Sequence, residues 1–152
     1  MTLQDFLNEM GVSYHLSNHA TVYTSQDLAA REHVPGDKVI KPVVITADGK
    51  PMLCALPASH RVDLQALRTE LHAQSVSLID ESRLHEIFPD CEIGAEPPIG
   101  KLYGLPTLMD QSLCADEHVT FQAGTHTTAI TMALDDYQRV SEAQVGKFGR
   151  HL

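Results

Sequence analysis

Basic charge, cysteine and long apolar runs are all scarce in this chain of 152 residues. Lys and Arg number 11 against 20 Asp and Glu, for a net charge of −9. A protein that coats nucleic acid neutralises many phosphates through a basic face, so broad nucleic-acid binding is excluded. DNA is not expected as a partner. A small local contact stays open, because Arg31, Lys38, Lys41, Lys50 and Lys101 suffice to line one cleft. The three cysteines, Cys54, Cys91 and Cys114, are odd in number and far apart. They argue against a disulfide framework and for a reducing cytoplasm. They read as small buried hydrophobes rather than nucleophiles. No apolar run approaches the roughly 18 residues of a membrane span. The start, Met1-Thr2-Leu3-Gln4-Asp5, lacks the basic leader of a secretory signal. The expectation is a cytoplasmic protein with no membrane partner.

Catalytic signatures are equally thin. There is no Gly-x-Ser-x-Gly elbow, no nucleophilic triad and no Walker-type or dinucleotide glycine loop. The nine histidines fall in no His-Glu-x-x-His spacing and the cysteines in no Cys-x-x-Cys. No metal and no cofactor are therefore expected.

What is present is an ordinary globular composition, 43% apolar, long enough for one domain over residues 1–152 and too short for two. Leu3, Phe6, Leu7 and Met10 share one helical face, with Thr2 as cap and Gly11 as stop. Val12 to His19 alternates as a strand. Thr24 caps a helix that Pro35-Gly36 ends. Val39 to Ala47 and Met52 to Leu56 form a hairpin about Asp48-Gly49, and both strands look central. Lys41-Pro42 interrupts the first of them, which predicts a bulge or a strand entry. Helices are expected over 63–72, with a Leu64, Leu67 and Leu71 stripe, and from a capping Asp80 through Phe88. Short strands follow over 76–79, 105–109, 119–123 and 127–134, then a helix over 136–141 capped by Asp135, then an irregular tail. The mixture predicts an α+β domain with a mixed, mostly antiparallel sheet surrounded by helices.

One stretch stands out. In Gly94-Ala95-Glu96-Pro97-Pro98-Ile99-Gly100 two glycines bracket paired prolines. Glycine permits close approach and positive φ, while proline fixes φ and removes donors. The loop reads either as a tight connection between strands or as a rigid frame presenting backbone groups to a small polar ligand. Lys41, inside an apolar run, needs an anionic or carbonyl partner or must snorkel to solvent. Asp110 either caps the next turn or acts chemically, and His126 is either an ordinary loop histidine or part of a site.

These residues fall together in one resemblance. His19-Ala20-Thr21-Val22-Tyr23-Thr24, Val39-Ile40-Lys41-Pro42-Val43-Val44-Ile45, the Gly94–Gly100 loop, Leu105-Pro106-Thr107-Leu108-Met109-Asp110 and Phe121-Gln122-Ala123-Gly124-Thr125-His126 occur in that order. Separately weak and together specific, they resemble the YbaK/EbsC family of aminoacyl-tRNA editing domains, related to the insertion domain of bacterial prolyl-tRNA synthetases. The likeness runs from about His15 to Arg139.

The resemblance implies hydrolysis of the ester between a wrong amino acid and the terminal adenosine of a tRNA. In the family a lysine contacts the terminal nucleotide, the glycine-to-proline loop orients the aminoacyl group, and water attacks with help from a ribose hydroxyl. Carried onto this chain, Lys41 takes the phosphate or carbonyl, Gly94 and Ala95 the carbonyl oxygen, and Asp110 and His126 the amino group or the water. Tyr23 and Thr24, with Pro97, Pro98, Gly100 and Gly124, line the substrate pocket. The implied partner is the acceptor end of an aminoacyl-tRNA, with a synthetase as a second candidate. Glu96 and Pro97 stand where other branches carry small residues, which alters pocket shape and charge. The substrate expected is a small amino acid such as alanine or serine. A free-standing deacylase, a non-catalytic module binding aminoacyl-tRNA or a synthetase, and a hydrolase of another small ester or adenylate are three readings of this sequence.

Overall fold

In the computed structural model, which describes residues 1–152, the organising unit is a long antiparallel hairpin. Strands β2 (Ile40–Ala47) and β3 (Lys50–Pro57) pair without a break from Ile40 against Pro57 to Ala47 against Lys50. Asp48 and Gly49 at its tip both have positive φ, 49° and 82°, as a two-residue turn of the type I′ kind requires. The predicted bulge at Lys41-Pro42 is absent. The Val44 carbonyl accepts from the Ile79 N–H, so alternate residues of β2 turn their backbone groups away from β3. Pro42 is two residues from Val44 and turns the same way, beyond the end of β5 (Val76–Leu78), which reaches only Ile45. Its missing N–H falls on an unpaired edge, and the ladder loses nothing.

Five strands form the larger sheet in the order β5-β2-β3-β6-β9, with β6 (Thr107–Asp110) and β9 (Gln144–Gly146) joining in parallel. A smaller antiparallel sheet runs β1-β8-β7, from β1 (Tyr14–Asn18), β7 (His118–Gln122) and β8 (Thr128–Ala133). A parallel bridge between Val39 and Thr120 joins the two sheets at one corner. Between them lies the main core, including Leu7, Ile40, Leu53, Phe88, Met109, Phe121, Ile130 and Tyr137. A second cluster, Val22, Leu28, Ala29, Val39, Ala58 and Ala129, sits beneath helix α2 (Ser25–Glu32). A third, with Ile45, Leu56, Leu67 and Phe148, sits beneath α3 (Leu64–Leu71).

Local signals explain most helix starts. Thr2 and Asp5 form a reciprocal capping box on α1 (Leu3–Glu9), at 3.1 and 3.2 Å. Thr24 Oγ1 accepts from the Asp27 N–H at 3.0 Å at the head of α2. Asp63 does the same for α3. Other expectations are corrected. Asp80 occupies the cap position of α4 (Glu81–Ile87) without a side-chain bond. Helix α5 (Leu134–Ser141) begins two residues before the expected Asp136; its cap position is Ala133, and Asp135 lies in the first turn, where a carboxylate favours the helix dipole. Helix α2 ends on His33, before Pro35-Gly36, and α3 and α5 end on His72 and Glu142, all three left-handed. Leu64 is largely exposed, so the α3 stripe rests on Leu67 and Leu71. Cys54 is buried, which pushes its thiol up to about 12, but Cys114 is exposed and fills no core.

The tail is not irregular. It contains β9 and β10 (Gly149–His151), the latter pairing with β4 (His60–Val62), a short strand the sequence did not announce. Three-residue strands carry no readable period; a carboxylate holds them instead. Asp110 Oδ1 accepts from the Phe148 and Gly149 N–H groups at 3.0 and 2.7 Å, and Oδ2 from the N–H and hydroxyl of Ser112. Burial alone would raise this carboxyl's pKa, but these hydrogen bonds outweigh it and hold it below the ordinary 3.8.

Asp110→Asn should therefore destabilise the fold by about 2–3 kcal/mol, because charge-assisted bonds are lost and buried donors are left unpaired. A group with a lowered folded pKa contributes stability above its unfolded pKa and loses it as pH falls through the folded value. In urea titrations the gap between wild type and Asp110→Asn should hold from neutral pH to about 4 and shrink below that. A gap independent of acid would show that the carboxylate's charge does not hold the tail.

Candidate functional site

Three loops meet at the end of the smaller sheet. Glu92 N–H donates to the Gly124 carbonyl and Gly124 N–H to the Ala95 carbonyl, each at 2.8 Å. His126 N–H reaches Glu92 Oε1 at 3.3 Å. On the other side the Val22 N–H donates to the His126 carbonyl at 3.0 Å, and His19 N–H to that of Thr127 at 2.9 Å. The segment before α2, the glycine–proline loop and the β7–β8 connection are thereby one unit.

Each loop glycine has its own physical reason. Gly94 has a φ of +88°, and a Cβ there would lie 3.5 Å from His126 Cε1 and 3.7 Å from the Tyr23 carbonyl. Gly100 is a close approach: a Cβ would stand 2.6 Å from the Leu105 carbonyl oxygen and 2.7 Å from Thr107 Oγ1. The loop between them is buried from Ala95 onward. Its far end is fixed by Tyr137, whose hydroxyl donates to the Pro98 carbonyl at 2.5 Å, and by the Gly100 N–H, which donates to Thr107 Oγ1 at 2.9 Å.

Of the sequence-predicted site residues, the structure brings together Tyr23, Gly94, Ala95, Gly124 and His126. The Tyr23 ring, 70% exposed, leans on the His126 ring with centroids 5.0 Å apart. A depression of about 380 Å³ lies on its outer side, between Val22, Asp27 and Arg31. Pro97 faces the opposite side, into a hollow of about 340 Å³ shared with Cys91, Tyr103 and Gly124. Thr24 is committed to capping α2. Asp110 stands apart, its oxygens taken by Ser112, Phe148 and Gly149, with no hydrogen bond to the loop.

The loop amides are engaged within the loop itself. Gly94 N–H donates to Glu96 Oε1 at 3.2 Å and Ala95 N–H to the Glu92 carbonyl at 3.0 Å. Glu96 is the cause of the first, a carboxylate 7% exposed where a small residue was the family expectation. Its own N–H has no protein partner.

The unpaired polar atoms gather here. Five buried side-chain N or O atoms lack a partner, and four belong to His19 (Nε2), Gln122 (Oε1 and Nε2) and His126 (Nδ1). Buried polar atoms are normally paired, and an orphan costs about 1–3 kcal/mol. Lys41 joins them. It is half-buried, makes no ion pair, and has its pKa lowered by burial. Strand alternation puts it on the face of β2 that carries Val39, and the Val39–Thr120 bridge sets Lys41 and Gln122, each two residues further on, in corresponding positions.

The candidate site is thus a proline-stiffened loop on an α+β frame, with several unpaired polar side chains around it. The sequence profile of the aminoacyl-tRNA editing domain matches residues 19–140, and the chain belongs to that family. No curated protein matches the sequence. Among solved structures, the hypothetical protein APE2540 superposes with a TM-score of 0.88 at 15% identity, over 97% of this chain and 99% of that one. A proposed trans-editing enzyme for prolyl tRNA synthetase gives 0.84 at 18% identity, over 97% and 94%. A proposed signal transduction protein from Marinobacter aquaeolei VT8 gives 0.72 at 17% identity, over 97% of this chain but 30% of the other. At such identities the likeness is one of fold.

Sequence reasoning assigned no role to His19, Glu92 or Gln122. Two of these lie inside motifs quoted for the resemblance, but nothing local distinguishes a strand glutamine left unpaired from one that is paired.

Gly100→Ala should cost about 1–3 kcal/mol in denaturant unfolding, because backbone, not a flexible side chain, blocks the new methyl. Unchanged stability would mean that the loop is free to shift and is not the rigid frame described.

Proposed function

We propose that this chain is a free-standing, single-domain trans-editing deacylase that hydrolyses the ester of a mischarged tRNA carrying a small amino acid. The observation that carries the reading is the rigid loop bonded to the His126 segment, with the His126 Nδ1 and the half-buried Lys41 both unpaired, in a member of an editing family. Water adds to the ester carbonyl, the bond to the ribose oxygen breaks, and the proton ends on that oxygen, leaving free amino acid and free tRNA.

No covalent nucleophile is needed, because an ester is already activated and positioning supplies much of the acceleration. Lys41 is assigned the phosphate of the terminal nucleotide. His126, with Nδ1 unpaired, is assigned the attacking water or the substrate's amino group, and Tyr23 the flank of the pocket. Asp110 is assigned support of β6 rather than direct contact. The carbonyl oxygen is assigned to the Glu96 N–H, joined by that of Gly94 once the Glu96 carboxylate lets go. A preorganised donor of this type is worth about 10²–10³ in rate. The acidic surface suits a weak tRNA binder in the cytoplasm to which a synthetase delivers substrate.

The test is a deacylation assay across a panel of mischarged tRNAs with wild type and Lys41→Ala. Turnover of one or a few members is expected, with Lys41→Ala reducing it by about 10²-fold or more as a charge-assisted contact is lost. Binding without any turnover would favour the non-catalytic module, and turnover that ignores Lys41→Ala would remove Lys41 from the site. Glu96→Gln supplies a second check. Weakening the hold on the Gly94 N–H should raise turnover several-fold, whereas a fall would show that the carboxylate itself contacts substrate.

A further inference from the structure

The cations of this chain are few, and two of them stand directly opposite one another. Strands β4 and β10 pair with Arg61 against Arg150 and His60 against His151. Residues opposite one another in an antiparallel pair share a face, with Cβ atoms about 4.5–5.5 Å apart. Val62, on the other face with the two histidines, packs on the cluster beneath α3, so the arginines turn outward. Both are exposed. Arg61 makes no ion pair. Arg150 has only Asp63, whose Oδ2 lies 3.9 Å from Nε while its Oδ1 caps α3. The two three-residue strands contain no acid.

Like charges directly opposite destabilise a strand pair. Acidic residues outnumber basic ones 20 to 11, yet the chain sets a second arginine where a carboxylate would complete a cross-strand ion pair. The result is two guanidinium forks side by side, which match the oxygens of a phosphate.

The place of this ribbon in the fold identifies the phosphate. β4 follows β3 at the end where Leu56 pairs with Lys41. Arg61 comes five residues after Leu56, and five residues span at most about 18 Å. An acceptor end whose terminal phosphate sits at Lys41 has further phosphates within that distance. Arg150 also lies outside residues 19–140, the part that matches the editing-domain profile, so the pair is not a feature of that profile.

Resting on the deacylase reading above, we propose that Arg61 and Arg150 form a phosphodiester-binding pair that holds the acceptor strand of the tRNA upstream of its terminal nucleotide. The pair positions the strand without reading its sequence, because a phosphate carries no base information. It gives affinity to an acidic protein that has no broad basic face.

The experiment measures the affinity of uncharged tRNA for wild type and Arg61→Gln across a salt series, with urea unfolding alongside. Arg61→Gln should weaken binding about tenfold, alike for different tRNAs, as a charge-assisted contact is lost. It should also flatten the slope of log K against log[salt] by about 0.7–0.9. Its urea midpoint should hold or rise, because a like-charge contact is removed. Unchanged affinity and slope overturn the proposal and leave the pair to an acidic protein surface. Weaker binding with a lower midpoint also overturns it, and gives Arg61 to the fold.

A catalytic arm separates this inference from the deacylase reading. Arg61→Gln should raise KM for a mischarged tRNA with kcat unchanged, and should not alter turnover of the aminoacyl-adenosine ester, which lacks the upstream phosphates. Equal loss on both substrates overturns the proposal. Arg61-dependent binding without turnover on any tRNA would keep the inference and sink the deacylase, whereas turnover with unchanged affinity would do the reverse.

Discussion

The bonds that tie residues 92–95 to 124–126 carry the rest of the site. Two of them, both at 2.8 Å, run between backbone groups, and the third uses the Glu92 side chain. Because they join a loop following α4 to the connection between β7 and β8, they fix two otherwise independent turns in one orientation. The ladder brings Gly94 so near the His126 ring that a Cβ would lie 3.5 Å from Cε1. The prolines then stop the loop from drifting, and Tyr137 and Thr107 hold its far end from beneath. The apolar core acts on the site through these few polar contacts.

Polar groups in this protein fall into two populations. Asp110, Thr24, Asp63 and Thr2 spend their oxygens on the fold, each facing backbone N–H groups that would otherwise be orphaned. His19, Gln122, His126 and Lys41 leave theirs unpaired. In a chain of net charge −9, one half-buried ammonium is a local exception that a global charge cannot reveal. It adds a cation at that position in a chain whose net charge opposes binding along a long nucleic acid.

The sequence was legible where one residue type has one physical use. Asp48-Gly49 named its hairpin turn, Thr2 and Thr24 named their helix starts, and the alternation from Ala129 to Met132 named a strand. Gly94 and Gly100 were read as needing freedom, and each has a distinct steric cause. Legibility failed where position depends on distant partners. The strands of the tail exist because Asp110 accepts from Phe148 and Gly149, nearly forty residues away in sequence, and no period announces that. Asp110 was readable as a cap of the next turn, which Ser112 bears out, but not as the anchor of Phe148 and Gly149. Gly94 and Ala95 looked free, since Glu96 and Glu92 claim their amides only once the loop has curled.

Three helices end in the left-handed region on residues that carry a Cβ: His33, His72 and Glu142. Glycine occupies that conformation without the steric penalty of roughly 1–2 kcal/mol that an L-residue bears. The protein thus holds unrealised stability at three exposed helix ends, of which only His33 borders the depression beside Tyr23. A background with glycine at those ends would tolerate substitutions at the junction that the natural chain does not. The cost of altering its polar cluster could then be measured on molecules that remain folded.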